Sequence, residues 1–321
     1  MKILVTGGAG FIGSNVADAY IEAGHEVVIV DNLFTGKSSN VNPKARFYLM
    51  DIRSEELRKV FEIEKPDVVN HHAAQMSVPA SVEDPLFDAD VNVKGFLNML
   101  ESARRSGTKK IIFISSGGAV YGNAAEYPTG EDYPPEPASP YAITKYVSEK
   151  YLSFYRSLYG IDYTVLRYAN IYGPRQAPHG EAGVVAIFTD RLLNGSMCTL
   201  YCYKEEPRGM TRDYCYVGDA ARANLLALSN GSGGVYNIGT GVPTHTSDLF
   251  RAIYEAVRDT CGISQGLEHP KTREARPGDL RRSCLRIGKA KELGWEPGVV
   301  LGEGLRRTIE RRMRDLRLQG A

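Results

Sequence analysis

The turn Thr6-Gly7-Gly8-Ala9-Gly10-Phe11-Ile12-Gly13, with glycines at 7, 10 and 13, restricts the possible folds of this chain more than any other feature. It follows a short apolar run at residues 3–5 and leads into an amphipathic stretch at 15–23, after which a second apolar run occupies 27–30. Strand, glycine turn, helix and strand in that order make the βαβ unit of a nucleotide-binding sheet. Glycines let the backbone turn tightly after the strand and approach a pyrophosphate, whose charge then sits at the positive end of the next helix. Asp31 ends the second run, where a carboxylate accepts hydrogen bonds from both adenosine-ribose hydroxyls. A carboxylate there repels a 2′-phosphate, so the pattern predicts NAD rather than NADP.

Further strands are expected at 46–50, 68–71, 110–115 and 163–167, with helical-period segments between them that include 54–61, 91–106 and 141–159. This alternation predicts an α/β fold, a Rossmann doubly wound parallel sheet with helices on both faces. After Gly173-Pro174 the rhythm changes to a loop at 175–183, an apolar helix at 184–193 and shorter elements. We therefore expect a cofactor-binding domain over 1–170 and a smaller C-terminal α/β domain over 171–321, with the chain crossing back near 235–240. The basic tail at 306–317 carries Ile309, Met313 and Leu316 at helical spacing and reads as a solvated amphipathic helix.

Lys+Arg 39 against Asp+Glu 38 leaves the chain close to neutral, which argues against nucleic acid or an anionic membrane surface as partner. Any anionic ligand is then held by a few placed arginines. No apolar stretch approaches the roughly 20 residues of a membrane span, and the first residues lack the pattern of a secretory leader. The cysteines Cys198, Cys202, Cys215, Cys261 and Cys284 are scattered without a C-x-x-C pair, so no metal site and a reducing, cytoplasmic setting are expected. His71 and His72 end a buried strand and His179 lies in a loop; with no metal spacing and no nucleophile to partner, all three read as structural.

Tyr141-Ala142-Ile143-Thr144-Lys145 puts a tyrosine and a lysine at i and i+4, on one face of a helix. A nearby ammonium favours the phenolate, so Lys145 is expected to lower the pKa of Tyr141 and make it a base for a sugar hydroxyl. A YxxxK pattern alone is common. Here it follows the strand at 111–115, which should end beside the cofactor.

With these motifs the chain resembles an extended short-chain dehydrogenase/reductase, and within that group the UDP-glucose 4-epimerase family. The resemblance rests on the glycine turn, Asp31-Asn32-Leu33, Asp51-Ile52, His72-Ala73-Ala74-Gln75, Asn92, residues 115–122, Ser139-Pro140-Tyr141 with Lys145, and Arg167-Tyr168-Ala169-Asn170. It continues through Tyr172-Gly173-Pro174-Arg175, Arg212-Asp213-Tyr214, Asn237-Ile238-Gly239 and Arg276-Pro277-Gly278-Asp279, in family order over most of the chain. It implies that Gly7, Gly10, Phe11, Ile12 and Gly13 cover the pyrophosphate of NAD. Asp31, Asn32, Leu33, Thr35 and Gly36 would bind the adenosine ribose, and Asp51 and Ile52 would flank the adenine. Ala73, Ala74, Gln75, Asn92 and Ser115 would line the cofactor, with Tyr168 beside the nicotinamide and Tyr141 and Lys145 catalytic. For a UDP-sugar it implies contacts from Ser77, Gly117, Asn170, Val185, Tyr201, Arg212, Arg276, Asp279 and Ser283. Two arginines facing a diphosphate make sense because a guanidinium pairs bidentately with its oxygens. A homodimer through the helices at 91–106 and 141–159 is implied as well.

Three positions depart from the family or modify it. Where the family carries a Ser or Thr, four residues before Tyr121, this chain has Gly117, so either water or Ser116 supplies that hydroxyl or Tyr141 works alone. The segment 201–211 is longer and more charged than the usual turn before Arg212. Ser283 stands where epimerases restricted to plain hexoses carry a tyrosine, which implies room for N-acetyl sugars. The expected activity is redox-neutral epimerisation at C4 of UDP-glucose and UDP-galactose through a 4-keto sugar. A related decarboxylase or reductase, or a catalytically silent NAD-sensing protein, are the alternatives.

Overall fold

The computed structural model of the protein describes residues 1–178, 183–262, 265–275 and 280–319. Its first strands are β1 (Lys2–Thr6), β2 (Glu26–Asp31), β3 (Arg46–Leu49), β4 (Val68–His71), β5 (Lys110–Ser116) and β6 (Asp162–Tyr168). They are followed by β7 (Asn170–Tyr172), β8 (Thr199–Cys202), β9 (Thr211–Tyr216), β10 (Gly234–Ile238), β11 (Pro243–His245) and β12 (Lys271–Glu274). Seven of these form one parallel sheet in the order β10-β6-β5-β4-β1-β2-β3. The order reverses direction between β1 and β4, the position where doubly wound sheets bind ligands. The other strands form a three-stranded sheet β11-β9-β7 and a two-stranded sheet β12-β8.

Alternation along the strands sends side chains to two separate cores. On one face Ile3, Val5, Val27, Ile29, Ile112 and Ile114 pack under α1 (Phe11–Glu22), with α8 (Val184–Leu193), α9 (Val217–Ala227), α10 (Thr246–Cys261) and α11 (Leu301–Gln319) extending the same core. On the other face Leu4, Val28, Val30, Ile111 and Phe113 pack under α2 (Leu57–Glu64), α5 (Phe96–Ser106) and α7 (Pro140–Tyr159). Three short helices, α3 (Val78–Glu83), α4 (Pro85–Ala89) and α6 (Gly117–Tyr121), pack against α7. A π-helical turn, Asp90–Gly95, leads into α5, so the expected helix at 91–106 is regular only over its later part.

After residue 170 the chain returns to the first sheet. β10 pairs with β6, and α9 packs beside α1. A buried set of side chains joins the two halves there: Asn70 Nδ2 donates to Tyr20 Oη at 2.6 Å and to Asn224 Oδ1 at 2.7 Å. Residues 217–238 therefore belong physically with the first sheet. No helix among the described residues is long and apolar enough to cross a membrane.

Candidate functional site

A cleft of about 950 Å³ opens at the carboxyl ends of the central strands. Gly7 has φ +69°, and a Cβ on it would lie 2.6 Å from the backbone nitrogen of Ala73. A Cβ on Gly13 would lie 2.3 Å from the Gly7 carbonyl oxygen. Only glycine allows the turn after β1 to press against both the loop after β4 and the start of α1. Gly10, Phe11, Ile12 and Gly13 line the cleft at the amino end of α1, where unpaired N–H groups and the helix dipole suit a pyrophosphate.

Asp31, buried at the end of β2, accepts from Ala9 N at 2.9 Å and from Leu33 N at 2.7 Å, and still lines the cleft. Asn32 and Thr35 line it too, whereas Leu33 and Gly36 shape the turn from behind. A Cβ on Gly36 would lie 2.9 Å from Asp31 Oδ1. Asp51 and Ile52 face the cleft beside them. Asp51 accepts from Asn32 Nδ2 at 2.9 Å, and its hydrogen bonds from Arg53 hold its carboxyl down to about 2. The cradle that side chains would fill, with a buried carboxylate at the end of β2, fits a dinucleotide such as NAD.

The second group of residues comes from β5, α6 and α7. Ser139 caps α7 by accepting from Ala142 N at 3.2 Å and Pro140 opens the first turn, so Tyr141 and Lys145 emerge one turn apart on the same face. Lys145 is buried; its Nζ donates to the Ile114 carbonyl at 2.9 Å and lies 5.9 Å from the Tyr141 ring centroid. Burial pushes it down to about 8, against the opposing charges of Asp88 and Glu149. Tyr141 hydrogen-bonds Ser116. Its hydroxyl is not lowered by Lys145 as expected. Burial pushes it up to about 12, Asp88 adds to the rise, and only the Ser116 bond opposes it.

Gly117 also differs from expectation. β5 ends at Ser116 and α6 begins at Gly117, so the chain turns there and position 117 faces inward. A Cβ on it would lie 2.7 Å from both terminal methyls of Leu285, and Gly117 does not line the cleft. Ser116 lines it instead. Ser115 lines the cleft as well, with its hydroxyl donating to Glu149 Oε1 at 2.6 Å. Glu149 is in turn paired with buried Arg167 at 2.6 Å.

Across the cleft stand Tyr168, Asn170, Val185, Arg212 and Ser283. Ser283 N donates to the Thr211 carbonyl at 3.0 Å, which lays the chain beyond residue 280 alongside β9. There Ser283 Oγ approaches to 2.7 Å of where a Gly118 Cβ would be. Buried Asp213 ties this wall together, accepting from Thr240 N at 2.8 Å, Thr240 Oγ1 at 2.6 Å and Gly241 N at 3.1 Å. The charged segment before β9 contributes Glu206, which pairs with Arg282 at 3.0 Å.

Ala73, Ala74 and Gln75 line the cleft, but Asn92 sits behind them, donating to the Gln75 carbonyl at 3.0 Å and accepting from Gln75 N at 2.9 Å. Ser77 is spent on capping α3, where it accepts from Ala80 N at 3.2 Å. Tyr201 lies in β8, paired in register with Arg273 of β12, and does not line the cleft. Arg276 and Asp279 lie outside the described residues, as does His179.

The family model for the NAD dependent epimerase/dehydratase family matches residues 3–239. The chain belongs to this family. The UDP-glucose 4-epimerase of Mycolicibacterium smegmatis is 45% identical over 317 residues, covering 97% of this chain and 98% of that protein. A crystal structure of UDP-glucose 4-epimerase from Thermotoga maritima with UDP-glucose is 48% identical, with TM-score 0.91, covering 98% of this chain and 100% of the other. The Thermus thermophilus UDP-glucose 4-epimerase in complex with NAD is 46% identical, with TM-score 0.88, over 97% and 98% of the two chains.

Against that family background, two residues at or behind the cleft, Arg53 and Asp88, went unread in the sequence, and a third, His72, was read as structural only. Arg53 bridges Asp51 at 2.9 Å and Asp90 at 2.8 Å; only the folding of the π-helical turn brings Asp90 to it. Asp88 lies buried behind Tyr141, accepting from Thr144 Oγ1 at 2.8 Å and Gln75 Nε2 at 2.8 Å. His72 lines the cleft, held neutral by burial, which pushes it down to about 3. His71 points away and shares a hydrogen bond with Thr6 Oγ1 at 2.9 Å. No cluster of His, Cys, Asp and Glu able to hold a metal ion occurs among the described residues.

Proposed function

We propose that the protein is an NAD-using UDP-glucose 4-epimerase that interconverts UDP-glucose and UDP-galactose through a 4-keto sugar. The observation that carries this reading is a single cleft whose lining includes Asp31, the group Ser116, Tyr141 and Lys145, and Arg212 beside Asn170. The chemistry that NAD supplies when bound is reversible hydride transfer at the sugar C4. Tyr141 takes the 4-hydroxyl proton and later returns it, while Ser116 orients that hydroxyl. Lys145 offers positive charge to the phenolate one turn away. Burial pushes the Tyr141 hydroxyl up to about 12, and the Ser116 hydrogen bond acts against that rise. Arg212, with Arg276 added on sequence grounds, holds the diphosphate through charge-assisted hydrogen bonds, Asn170 donates its side-chain amide beside them, and the Asp279 carboxylate is left to accept from a hydroxyl of the same ligand.

Gly118 and Ala119 offer no acid for eliminating water, which argues against a dehydratase. The small Ser283 on the cleft wall supports acceptance of N-acetyl hexosamine donors beside the plain hexoses. Exposed Phe154, Leu158 and Tyr159 on α7 support a homodimer through α5 and α7, and the free cysteines support a cytoplasmic setting.

The test is incubation with UDP-glucose, UDP-galactose and their N-acetyl forms, with products separated and identified. Each sugar should be converted to its 4-epimer with no net consumption of free NAD(P)H. Stoichiometric use of NAD(P)H, release of carbon dioxide from a uronic acid donor, or no turnover of any donor would overturn the proposal.

A further inference from the structure

We propose that a second cavity, on the outer flank of the cofactor loop, binds a small phosphate monoester carrying a hydroxyl group. The cavity has a volume of about 260 Å³ and draws cationic side chains from three separate parts of the chain, Lys37, Arg175, and Arg311 with Arg312. It is below the roughly 300–1,000 Å³ of pockets for larger ligands. That size suits a small metabolite and excludes a nucleotide sugar.

Carboxylates fix three of these cations in place. Asp190 engages Arg312 at 2.6 and 2.7 Å, Asp315 engages Arg311 at 2.8 Å, and Asp18, behind the cavity, engages Arg175 at 2.6 Å. Four cations against these three acids leave the lining net positive. Guanidiniums held in this way are pre-organised for an oxyanion, since little side-chain freedom remains to be lost on binding.

Three buried polar atoms on the same cavity lack a partner among the described residues: Arg175 Nη1, Gln176 Oε1 and Thr189 Oγ1. Such atoms are uncommon in folded proteins. Thr189 is the most telling, because it is only 1% exposed and sits on the inward face of α8 among apolar side chains. Gln176 Nε2 donates to the Ile171 carbonyl at 3.3 Å, which sets the amide so that Oε1 is left as an acceptor. Two donors and one acceptor on a cationic cavity match a phosphate oxygen pair together with an alcohol O–H. The cavity does not depend on the epimerase reading: Lys37, Arg175, Thr189, Arg311 and Arg312 do not line the main cleft, and Gln176 is the one lining residue that the two share among the described residues. The cavity does adjoin the cofactor turn: Lys37 N and Asn40 Nδ2 both donate to the Ala9 carbonyl at 3.0 Å.

The test uses the NAD-loaded protein with its main cleft saturated by UDP-glucose, titrated in a calorimeter with glycerol phosphate, inorganic phosphate and glycerol at constant ionic strength. One equivalent of glycerol phosphate should bind saturably, inorganic phosphate several-fold more weakly, and glycerol not at all. Thr189→Val, which keeps the shape of the side chain, and Arg311→Gln, on the exposed rim, should each weaken binding about tenfold by removing one charge-assisted or buried hydrogen bond, with sugar turnover unchanged. Arg311→Gln removes a surface charge, so it reports even where the buried substitution impairs folding. Absence of saturable binding, complete displacement by UDP-glucose, inorganic phosphate binding as tightly as the ester, or undiminished binding in Arg311→Gln would each overturn the proposal.

Discussion

The two walls of the cleft are built in different ways. On the cofactor wall the decisive contacts are short in sequence or made by backbone: Asp31 bonds Leu33 two residues on and Ala9 twenty-two residues back, and Gly13 packs on Gly7. On the opposite wall Asp213 reaches Thr240, 27 residues away, and Ser283 is placed by the Thr211 carbonyl. A wall held by local contacts can be recognised as a motif, whereas a wall held by distant contacts has to be folded before its residues become neighbours. Ser116 and Tyr141, between the walls, combine both, since a strand end and a helix start meet there.

The largest effect is expected where the walls meet. Tyr141→Phe removes the proton-transfer group and little contact area, so kcat should fall by about 10²–10⁴ with affinities for NAD and UDP-sugar nearly unchanged. Turnover within tenfold of wild type would remove Tyr141 from the role of base.

A reciprocal pair of substitutions probes whether the walls are separable. Asp31→Ala should weaken NAD about a hundredfold, and NADP much less, by deleting charge-assisted bonds to the ribose worth roughly 3 kcal/mol. Asp213→Ala should leave NAD affinity in place and raise KM for the UDP-sugar, because the Arg212 and Ser283 wall loses its anchor. Calorimetric NAD titration beside steady-state kinetics reads both, and equal loss of both ligands in either variant would break the distinction.

The assignment at the meeting point is sharpened by neighbouring positions. Ser116→Ala should lower kcat about tenfold to thirtyfold, the effect of one lost hydrogen bond to the reacting hydroxyl. Gly117→Ser should bring no gain in turnover and should cost roughly 1–3 kcal/mol of stability, because its Cβ enters the space of buried Leu285. A more active Gly117→Ser enzyme with an unchanged melting temperature would return the hydroxyl role to position 117.

The smallest effect concerns the sugar. Ser283→Tyr should lower kcat/KM for N-acetyl donors about tenfold and spare plain hexoses, the range open to a steric change in a pocket. Unchanged discrimination between the two donor pairs would make Ser283 a bystander.

The sequence by itself determined the sheet and the cofactor wall of this protein, because both are written in short-range patterns. Continuous apolar runs, helical stretches between them, the spacing of glycines 7, 10 and 13, and Asp31 at a strand end can each be recognised within one βαβ unit. The Tyr141 and Lys145 pair was legible for the same reason, since one helical turn spaces them. What only the tertiary structure decided lies at longer range. Counting back from Tyr121 pointed to Gly117, but the turn from β5 into α6 presents Ser116 to the cleft and sends position 117 toward Leu285. Proximity of Lys145 suggested a lowered tyrosine, but burial outweighs it, and Asp88 from α4 adds to the rise. Asn92, Ser77 and Tyr201 proved to serve a loop, a helix cap and a strand rather than the cleft surface. Pattern can name which residue types are available near a site, whereas dielectric environment and side-chain direction depend on every element packed around it.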